Sequence, residues 1–439
     1  PAPIIFPTTK DVGLLAATSL VVGNIIGAGI FVLPASLGKF GSISILGWIF
    51  TATGALILAK IFSNFSKILK GKSGGPYQYS KVVFGDFIGF LVAWGYWISC
   101  WVNNAAIAVA IVSALSFFFP ELITNPFYAT ITGLSFIWFF TYTSSRGFKS
   151  SGNIQILTTI AKLIPLILII ILGFFIFDLK IFPEFNLTNQ TDLEILPVVA
   201  VMTLYAFLGL ECASIPAENI INPEKTIPKA TMIGTLISTI IYILSTIILF
   251  GIIPTETLIN SPAPFAEAGE VMGGKYLGYF ISAGAAISAI GALNGWILIT
   301  SYMPMTMAND NLFPKAFKKK NKKGFPIISL ILGSILTSIV MTMNYSDGLV
   351  DRFEFLILLT TLSTLIPYLF VSASFVLFHI EKKFLKIKNI KSVILGALGS
   401  LYSVWAIFGS GIDSVFYGSI LLVIGIPIYL MLKAKNPNK

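Results

Sequence analysis

The sequence predicts an all-α membrane protein that crosses the bilayer twelve times. Hydrophobic residues make up 56% of the 439 residues and charged residues only 11%, whereas a soluble domain carries roughly 25% charged residues. The apolar segments are each about 20 residues long, which is the length of a helix that crosses the hydrocarbon core. We therefore interpret residues 1–439 as a single transmembrane domain.

The predicted spans follow one another through short connections. They cover residues 12–36, 41–63, 86–118, 125–143, 153–177, 193–217, 228–253, 276–308, 326–344, 353–378, 391–409 and 413–433. Every second connection is rich in lysine or arginine, while most of the others are acidic or neutral and carry residues such as Glu121, Asp178 and Glu256. Because basic loops stay on the cytoplasmic side, we predict that both termini are cytoplasmic. The expected location is the cell membrane, in particular a bacterial inner membrane.

This asymmetry also accounts for the net charge of +10. The expected partners are therefore the lipid bilayer and a small-molecule substrate, with no role for nucleic acid. The two cysteines, Cys100 and Cys212, lie within apolar segments, and the single histidine is His379. No metal site, cofactor or disulfide framework is expected. The sequence leaves a homodimer open.

The first span carries Gly27, Ala28 and Gly29 at its centre. Glycine costs roughly 1 kcal/mol in a helix relative to alanine, so this stretch suggests a discontinuous helix. Broken backbone at this depth is tolerated where it lines a cavity. A helix restarting near Ile30 would point the amides of residues 27–30 into that cavity and bind a carboxylate. The alternative is close helix packing through Gly23 and Gly27.

The sixth span repeats part of this pattern. Gly27–Pro34 and Gly209–Pro216 both run from a glycine to a proline seven positions later, and the two spans begin on opposite sides of the membrane. Interrupted helices at matching positions of two inverted halves mark the binding site of a transporter. We therefore predict inverted repeats over about residues 12–177 and 193–378, with the last two spans, about 391–433, as additions.

Two ionisable residues lie deep within predicted spans. Glu211 follows the break in span six, and Lys162 lies in span five. Buried charges in a membrane are costly and mark functional sites by default. Glu211 is either a group that responds to substrate or protons, or a structural acid that stays protonated and caps loose backbone. Lys162 is either a substitute for a coupling cation or a static tether to backbone carbonyls.

Aromatic and amide side chains lie near the same depth. Tyr96, Tyr205 and Trp296 fall near the centres of spans three, six and eight, and Asn24 and Asn104 lie at similar depth. A cation between aromatic faces gains roughly 0.5 to 2 kcal/mol. A cavity that combines these walls, an acid and a carboxylate-binding helix end suits an amino acid with a cationic side chain.

Several motifs resemble those of the amino acid/polyamine/organocation transporters. They are Gly27–Phe31 with Pro34, Ser73–Tyr77, Phe207–Glu211 and Glu218–Ala230. The similarity runs through nearly the whole chain and is strongest to the basic amino acid/polyamine antiporters of the arginine/agmatine and ornithine/putrescine type. The segment Tyr96–Asn104 resembles the arginine/agmatine branch in particular.

The resemblance implies a leucine-transporter-like fold of five plus five inverted helices with broken helices 1 and 6. It implies that the substrate carboxylate meets the turn at residues 27–29 and that the amino group meets carbonyls near Tyr205 and Leu208. It also implies that Trp296 and Asn104 contact the substrate side chain. Further implied roles are a gate at Tyr96, proton-linked behaviour at Glu211 and a hydroxyl from Thr361 or Thr360.

Two positions depart from the family pattern. The residue that matches Tyr205 is tryptophan in arginine/agmatine antiporters, and the residue that matches Lys162 is neutral there. A lysine at that place is typical of proton-coupled permeases and other branches. The leading prediction is an antiporter that exchanges arginine or ornithine for agmatine or putrescine by alternating access. The alternative is a proton-coupled amino acid permease of broader specificity.

Classes other than transporters fit the sequence poorly. An enzyme needs convergent acid, base or metal groups, and this chain has one histidine and few carboxylates within its spans. A channel would need a continuous polar pore, which the scarcity of polar residues in the spans disfavours. A sensor that binds amino acids without moving them is a further alternative.

Overall fold

The computed structural model describes residues 13–68, 76–146, 152–211, 220–321, 325–343, 348–381 and 387–434, and these residues are predominantly α-helical. The helices are α1 (Leu14–Ile25), α2 (Gly29–Gly38), α3 (Ile43–Ile68), α4 (Pro76–Phe84), α5 (Asp86–Ser116), α6 (Glu121–Thr124), α7 (Pro126–Ser145), α8 (Gly152–Ile176), α9 (Asp192–Tyr205), α10 (Pro223–Phe250), α11 (Thr255–Asn260), α12 (Pro264–Asn309), α13 (Ile327–Thr342), α14 (Leu349–Glu381), α15 (Ile387–Gly409) and α16 (Ile412–Ala434). The all-α prediction is therefore confirmed for this part of the chain.

Among the described residues, eight helical segments are long and apolar enough to cross a membrane, and two shorter apolar helices cover Lys162–Ile176 and Ile327–Thr342. A helix overlaps each of the twelve predicted intervals, while the number of crossings stays a prediction. Span eight was predicted to begin at residue 276. The structure places a break at Gly273 and Gly274, where the backbone of α12 leaves helical geometry.

Helix α5 is the centre of the molecule. Nearly all its residues are buried, and α12 and α14 pack along it. The last two helices are peripheral: only 33% of the most apolar window of α15, and 17% of that of α16, is buried. Side chains such as Phe408, Val423 and Leu430 face outward there. An apolar outer surface of this kind suits contact with lipid chains rather than water.

Polar contacts tie helix ends together. Lys39, just after α2, donates from Nζ to Asp351 and Glu354 of α14 at 2.9 Å each. Burial lowers the pKa of the Lys39 ammonium, but the carboxylates of Glu354 and Asp351 raise it more, so that this pKa lies above its ordinary value. The ion pairs hold α2 against α14.

Parts of three sequence motifs lie outside the described residues. They are residues 73–75 of the Ser73–Tyr77 motif, residues 212–216 of the repeat in span six, and residues 218–219 of the Glu218–Ala230 motif.

Candidate functional site

The first predicted span is broken between α1 and α2. Helix α1 ends at Ile25, and α2 begins at Gly29. Between them the Gly27 N–H donates to the Ile25 carbonyl at 2.9 Å, and Ile26 has φ −79° and ψ 78°. These values describe an inverse γ-turn. The first predicted span is therefore interrupted between Ile25 and Gly29.

The break exposes the amino-terminal end of α2. The first N–H groups of a helix have no partner within the helix, and they form the positive end of its dipole. Here the amides of Ala28, Gly29 and Ile30 occupy these positions. The sequence-based expectation also included the amide of Gly27, which is wrong because that group is used by the γ-turn.

The two glycines of the turn serve close packing. An ideal Cβ built on Gly29 would lie 2.7 Å from Cε1 of Tyr205, and one built on Gly27 would lie 3.5 Å from Cβ of Ala292. Neither glycine has the left-handed φ that excludes other residues. Gly29 is therefore required by the Tyr205 ring, whereas the space at Gly27 accepts a methyl group.

A second break faces the first one. Helix α9 ends at Tyr205, and turns continue to Glu211, with Gly209 at φ +104°. An ideal Cβ on Gly209 would lie 3.1 Å from Cβ of Asn24. The end of α9 and the end of α1 are thus in direct contact, which needs a glycine at position 209.

Tyr242 of α10 joins the two breaks. Its hydroxyl lies 2.7 Å from the carbonyl oxygen of Ile25 and 3.0 Å from that of Ala206. Carbonyls at helix ends lack partners within their helix. The Tyr242 hydroxyl is within hydrogen-bond distance of one such carbonyl from each broken span. The sequence analysis did not identify Tyr242, since a tyrosine in an apolar helix carries no pattern that distinguishes it from packing.

A cavity of about 20 Å³ lies between the two breaks. That is room for about one water molecule, so the two breaks enclose little free space. The lining residues are Asn24, Ile25, Gly27, Ala28, Gly29, Asn103, Ile107, Tyr205, Ala206, Leu208, Ala292 and Trp296. Seven of them were predicted as substrate-binding residues: Asn24, Gly27, Ala28, Gly29, Tyr205, Leu208 and Trp296.

Three further predicted residues lie outside this lining. The Thr361 hydroxyl donates to the Ile357 carbonyl within α14 at 2.7 Å. Asn104 donates from Nδ2 to the Thr300 hydroxyl at 3.0 Å, and that hydroxyl donates to the Trp296 carbonyl. Asn104 therefore supports the helix turn that carries Trp296. Tyr96, the third, belongs to a separate cluster around Glu211.

Glu211 is held by two tyrosines from other helices. The hydroxyls of Tyr96 on α5 and Tyr368 on α14 each donate to its carboxylate oxygens at 2.7 Å. All three side chains are buried. Hydrogen bonds to a carboxylate are shorter and stronger than those between neutral groups. Glu211 thus ties the break after α9 to both α5 and α14.

Lys162 contacts α1 just before the first break. Its Nζ donates to the carbonyl of Gly23 at 2.6 Å, and the side chain is buried. Three residues earlier on α8, the Thr159 hydroxyl donates to the Ser19 carbonyl at 3.1 Å. Two side chains of α8 therefore hold α1 by its backbone, and the lysine contact is two residues before Ile25.

The groups that line the cavity suit the binding of a small molecule with a carboxylate. The lining combines the amide end of α2, two aromatic rings and two amide side chains, and it contains no carboxylate. Groups of this kind bind a carboxylate at one end and an amine or apolar chain at the other.

Comparison with known proteins gives consistent matches. The amino acid permease family model matches residues 12–431. The putrescine transporter PotE of Haemophilus influenzae is 33% identical over 96% of this chain and 97% of its own length. The arginine/agmatine antiporter of Chlamydia pneumoniae is 31% identical over 98% and 92%. The cadaverine/lysine antiporter of Escherichia coli strain K12 is 31% identical over 92% and 90%.

These matches cover nearly the whole chain, and all three relatives are named as transporters. Together with the apolar helices, they identify a multi-pass membrane transporter rather than an enzyme. The chain belongs to the amino acid permease family.

Proposed function

We propose that this protein is an antiporter that exchanges a cationic amino acid, arginine or ornithine, for its decarboxylated amine, agmatine or putrescine. The observation that carries the proposal is the cavity between the two breaks. It places the amide end of α2 in one compartment with the rings of Tyr205 and Trp296. The antiporter relatives support exchange as the mode of transport.

In this proposal the substrate carboxylate binds at Ala28, Gly29 and Ile30, where helix amides favour negative charge. The cationic side chain lies against Trp296 and Tyr205. A decarboxylated amine has no group for the α2 end, so Trp296 and Tyr205 of the cavity lining must hold it. Glu211, which the sequence also suggested for this role, lies outside the lining and accepts hydrogen bonds from Tyr96 and Tyr368. Proton-linked behaviour at Glu211 is part of the same proposal.

We further propose twelve crossings, inverted repeats over residues 12–177 and 193–378, and cytoplasmic termini in a bacterial inner membrane. The contact between Asn24 and Gly209 supports the repeat, because it brings the breaks of the two halves together. Alternating access then moves one set of helices against the other around a fixed site.

Counterflow tests the exchange directly. Purified protein in liposomes loaded with unlabelled ornithine or putrescine should take up labelled ornithine at least tenfold faster than in empty liposomes, because exchange needs a substrate on both sides. Labelled arginine is measured in parallel with agmatine inside. Equal rates in loaded and empty liposomes would exclude exchange.

A proton-coupled permease is the second candidate, and the position of Lys162 favours it. An ammonium bound to the Gly23 carbonyl beside a broken helix is placed where a coupling cation could act on α1. In this case an inward proton gradient would drive accumulation into empty liposomes. Under exchange the gradient alone would drive none.

Replacing Lys162 by Met should lower transport about tenfold or more. A hydrogen bond from a charged group contributes about 1.5 to 3 kcal/mol, and its loss frees the backbone beside the break. Thr159→Val is the matched control, since it removes a neutral contact between the same two helices. Initial rates and melting temperatures are measured for both. If the Met variant loses activity only in proportion to lost folded protein, Lys162 is a structural tether.

A further inference from the structure

Ser288 of α12 forms a hydrogen bond with the broken turn of the first span. Its hydroxyl donates to the Gly27 carbonyl at 3.2 Å, and the side chain is buried. Serine and threonine hydroxyls within a helix commonly donate to a carbonyl three or four residues earlier, as Thr300 and Ser301 of the same helix do. Ser288 instead joins α12 to the backbone of another segment.

One face of α12 follows this turn. Ser288, Ala292 and Trp296 are spaced four residues apart, so they lie on the same side of the helix. An ideal Cβ on Gly27 would lie 3.5 Å from Cβ of Ala292, and both Ala292 and Trp296 line the cavity. The Ser288 hydroxyl is therefore about one helix turn from the place where α12 packs against Gly27.

The bond to the Gly27 carbonyl also fixes a neighbouring amide. This carbonyl and the Ala28 N–H belong to one peptide unit, which is planar and trans, so the two groups point in opposite directions. The Ala28 amide is one of the first amides of α2. The Tyr242 hydroxyl and the Gly27 N–H hold the earlier carbonyl of Ile25 instead. Holding the Gly27 carbonyl thus sets the direction of the Ala28 N–H.

We propose that Ser288 is a positioning residue that holds the Ala28 N–H in the direction needed to bind the substrate carboxylate. The inference rests on the proposed binding of an amino acid carboxylate at the start of α2. A substrate with a carboxylate uses this amide, whereas a decarboxylated amine has no group that reaches it. Ser288 therefore supports recognition of the amino acid and not of the amine.

Ornithine and putrescine test this, because they differ only in the carboxylate. Both unlabelled compounds compete with labelled ornithine in the counterflow assay, in the wild type and in Ser288→Ala. One neutral hydrogen bond corresponds to about fivefold in affinity. The ratio of the ornithine to the putrescine inhibition constant should therefore rise about fivefold in Ser288→Ala, while the putrescine constant should equal that of the wild type.

Ser282→Ala is the matched control, because it removes the same kind of bond from the same helix. The Ser282 hydroxyl donates to the Ala114 carbonyl of α5 at 2.6 Å, outside the cavity lining, so this variant should keep the wild-type ratio. Ser288→Thr keeps a hydroxyl and should keep that ratio as well. An unchanged ratio in Ser288→Ala, an equal loss for both compounds, or the same ratio in the Ala and Thr variants would overturn the proposal.

Hydrogen–deuterium exchange keeps the inference separate from the proposed function. If the wild type recognises neither compound, that function fails, and the order of the turn then decides the role of Ser288. The N–H groups of Gly27 and Phe31 donate to carbonyls of the turn at 2.9 and 3.2 Å. Exchange in a peptide that covers residues 26–31 should be about fivefold faster in Ser288→Ala and unchanged in Ser282→Ala. Equal exchange in the wild type and Ser288→Ala would contradict a positioning role.

Discussion

Replacing Gly29 by Ala should lower exchange by at least tenfold, while the same change at Gly27 should keep most of the activity. A methyl group on Gly29 would lie 2.7 Å from the Tyr205 ring, whereas one on Gly27 would lie 3.5 Å from Ala292, an ordinary contact distance. Overpacking typically costs about 1 to 3 kcal/mol. Counterflow rates at equal amounts of folded protein measure the difference.

The two variants control each other, because they add the same methyl group to the same turn. Both changes also restrict the unfolded chain alike, so a difference between them reports the surroundings of each position. Equal losses in both variants would mean that the turn needs glycine for its backbone and would contradict the packing role of Tyr205.

Replacing Glu211 by Gln should reduce transport by at least about a hundredfold. The hydroxyls of Tyr96 and Tyr368 both donate to the carboxylate. The amide oxygen of glutamine can accept from one tyrosine, while the hydroxyl of the other must turn to accept from the NH₂ group, so both bonds lose their charged acceptor. Losing a hydrogen bond to a charged group costs about 1.5 to 3 kcal/mol, and two such bonds are affected. Initial rates from pH 5 to 8 give both the loss and the pH profile.

Tyr368→Phe is the graded control for this prediction, because it removes one donor and keeps the carboxylate. Its loss should be smaller than that of Glu211→Gln, and its pH profile should keep the shape of the wild-type profile. A Gln variant with the rate and pH profile of the wild type would show that Glu211 has no part in proton-linked transport.

The sequence predicted the helices well because length and apolar composition are local properties. The start of α5 at Asp86 and the restart of α12 after Gly274 follow directly from them. The break near residues 27–29 was also predictable from local sequence, because glycine at the centre of a span is unfavourable in a helix. The reason for Gly29 was not predictable, because it depends on a ring from another helix.

The choice between Asn103 and Asn104 shows a second limit. Successive residues of a helix point about 100° apart, so the two amides face different neighbours. An amphipathic pattern normally tells which face is inward, but α5 is buried on nearly all sides. Its sequence therefore carries no signal for orientation. The hydrogen bonds of Glu211 to Tyr96 and Tyr368 were not predictable either, because they join three segments that are far apart in the sequence.

Efflux of a trapped amine is the most direct test of the central claim that this protein is an exchanger. Liposomes are loaded with labelled putrescine, or with labelled agmatine in a parallel set, and diluted into buffer with or without external ornithine or arginine. The account predicts rapid efflux only when the amino acid is present outside. Efflux at the same rate into amino-acid-free buffer would contradict it.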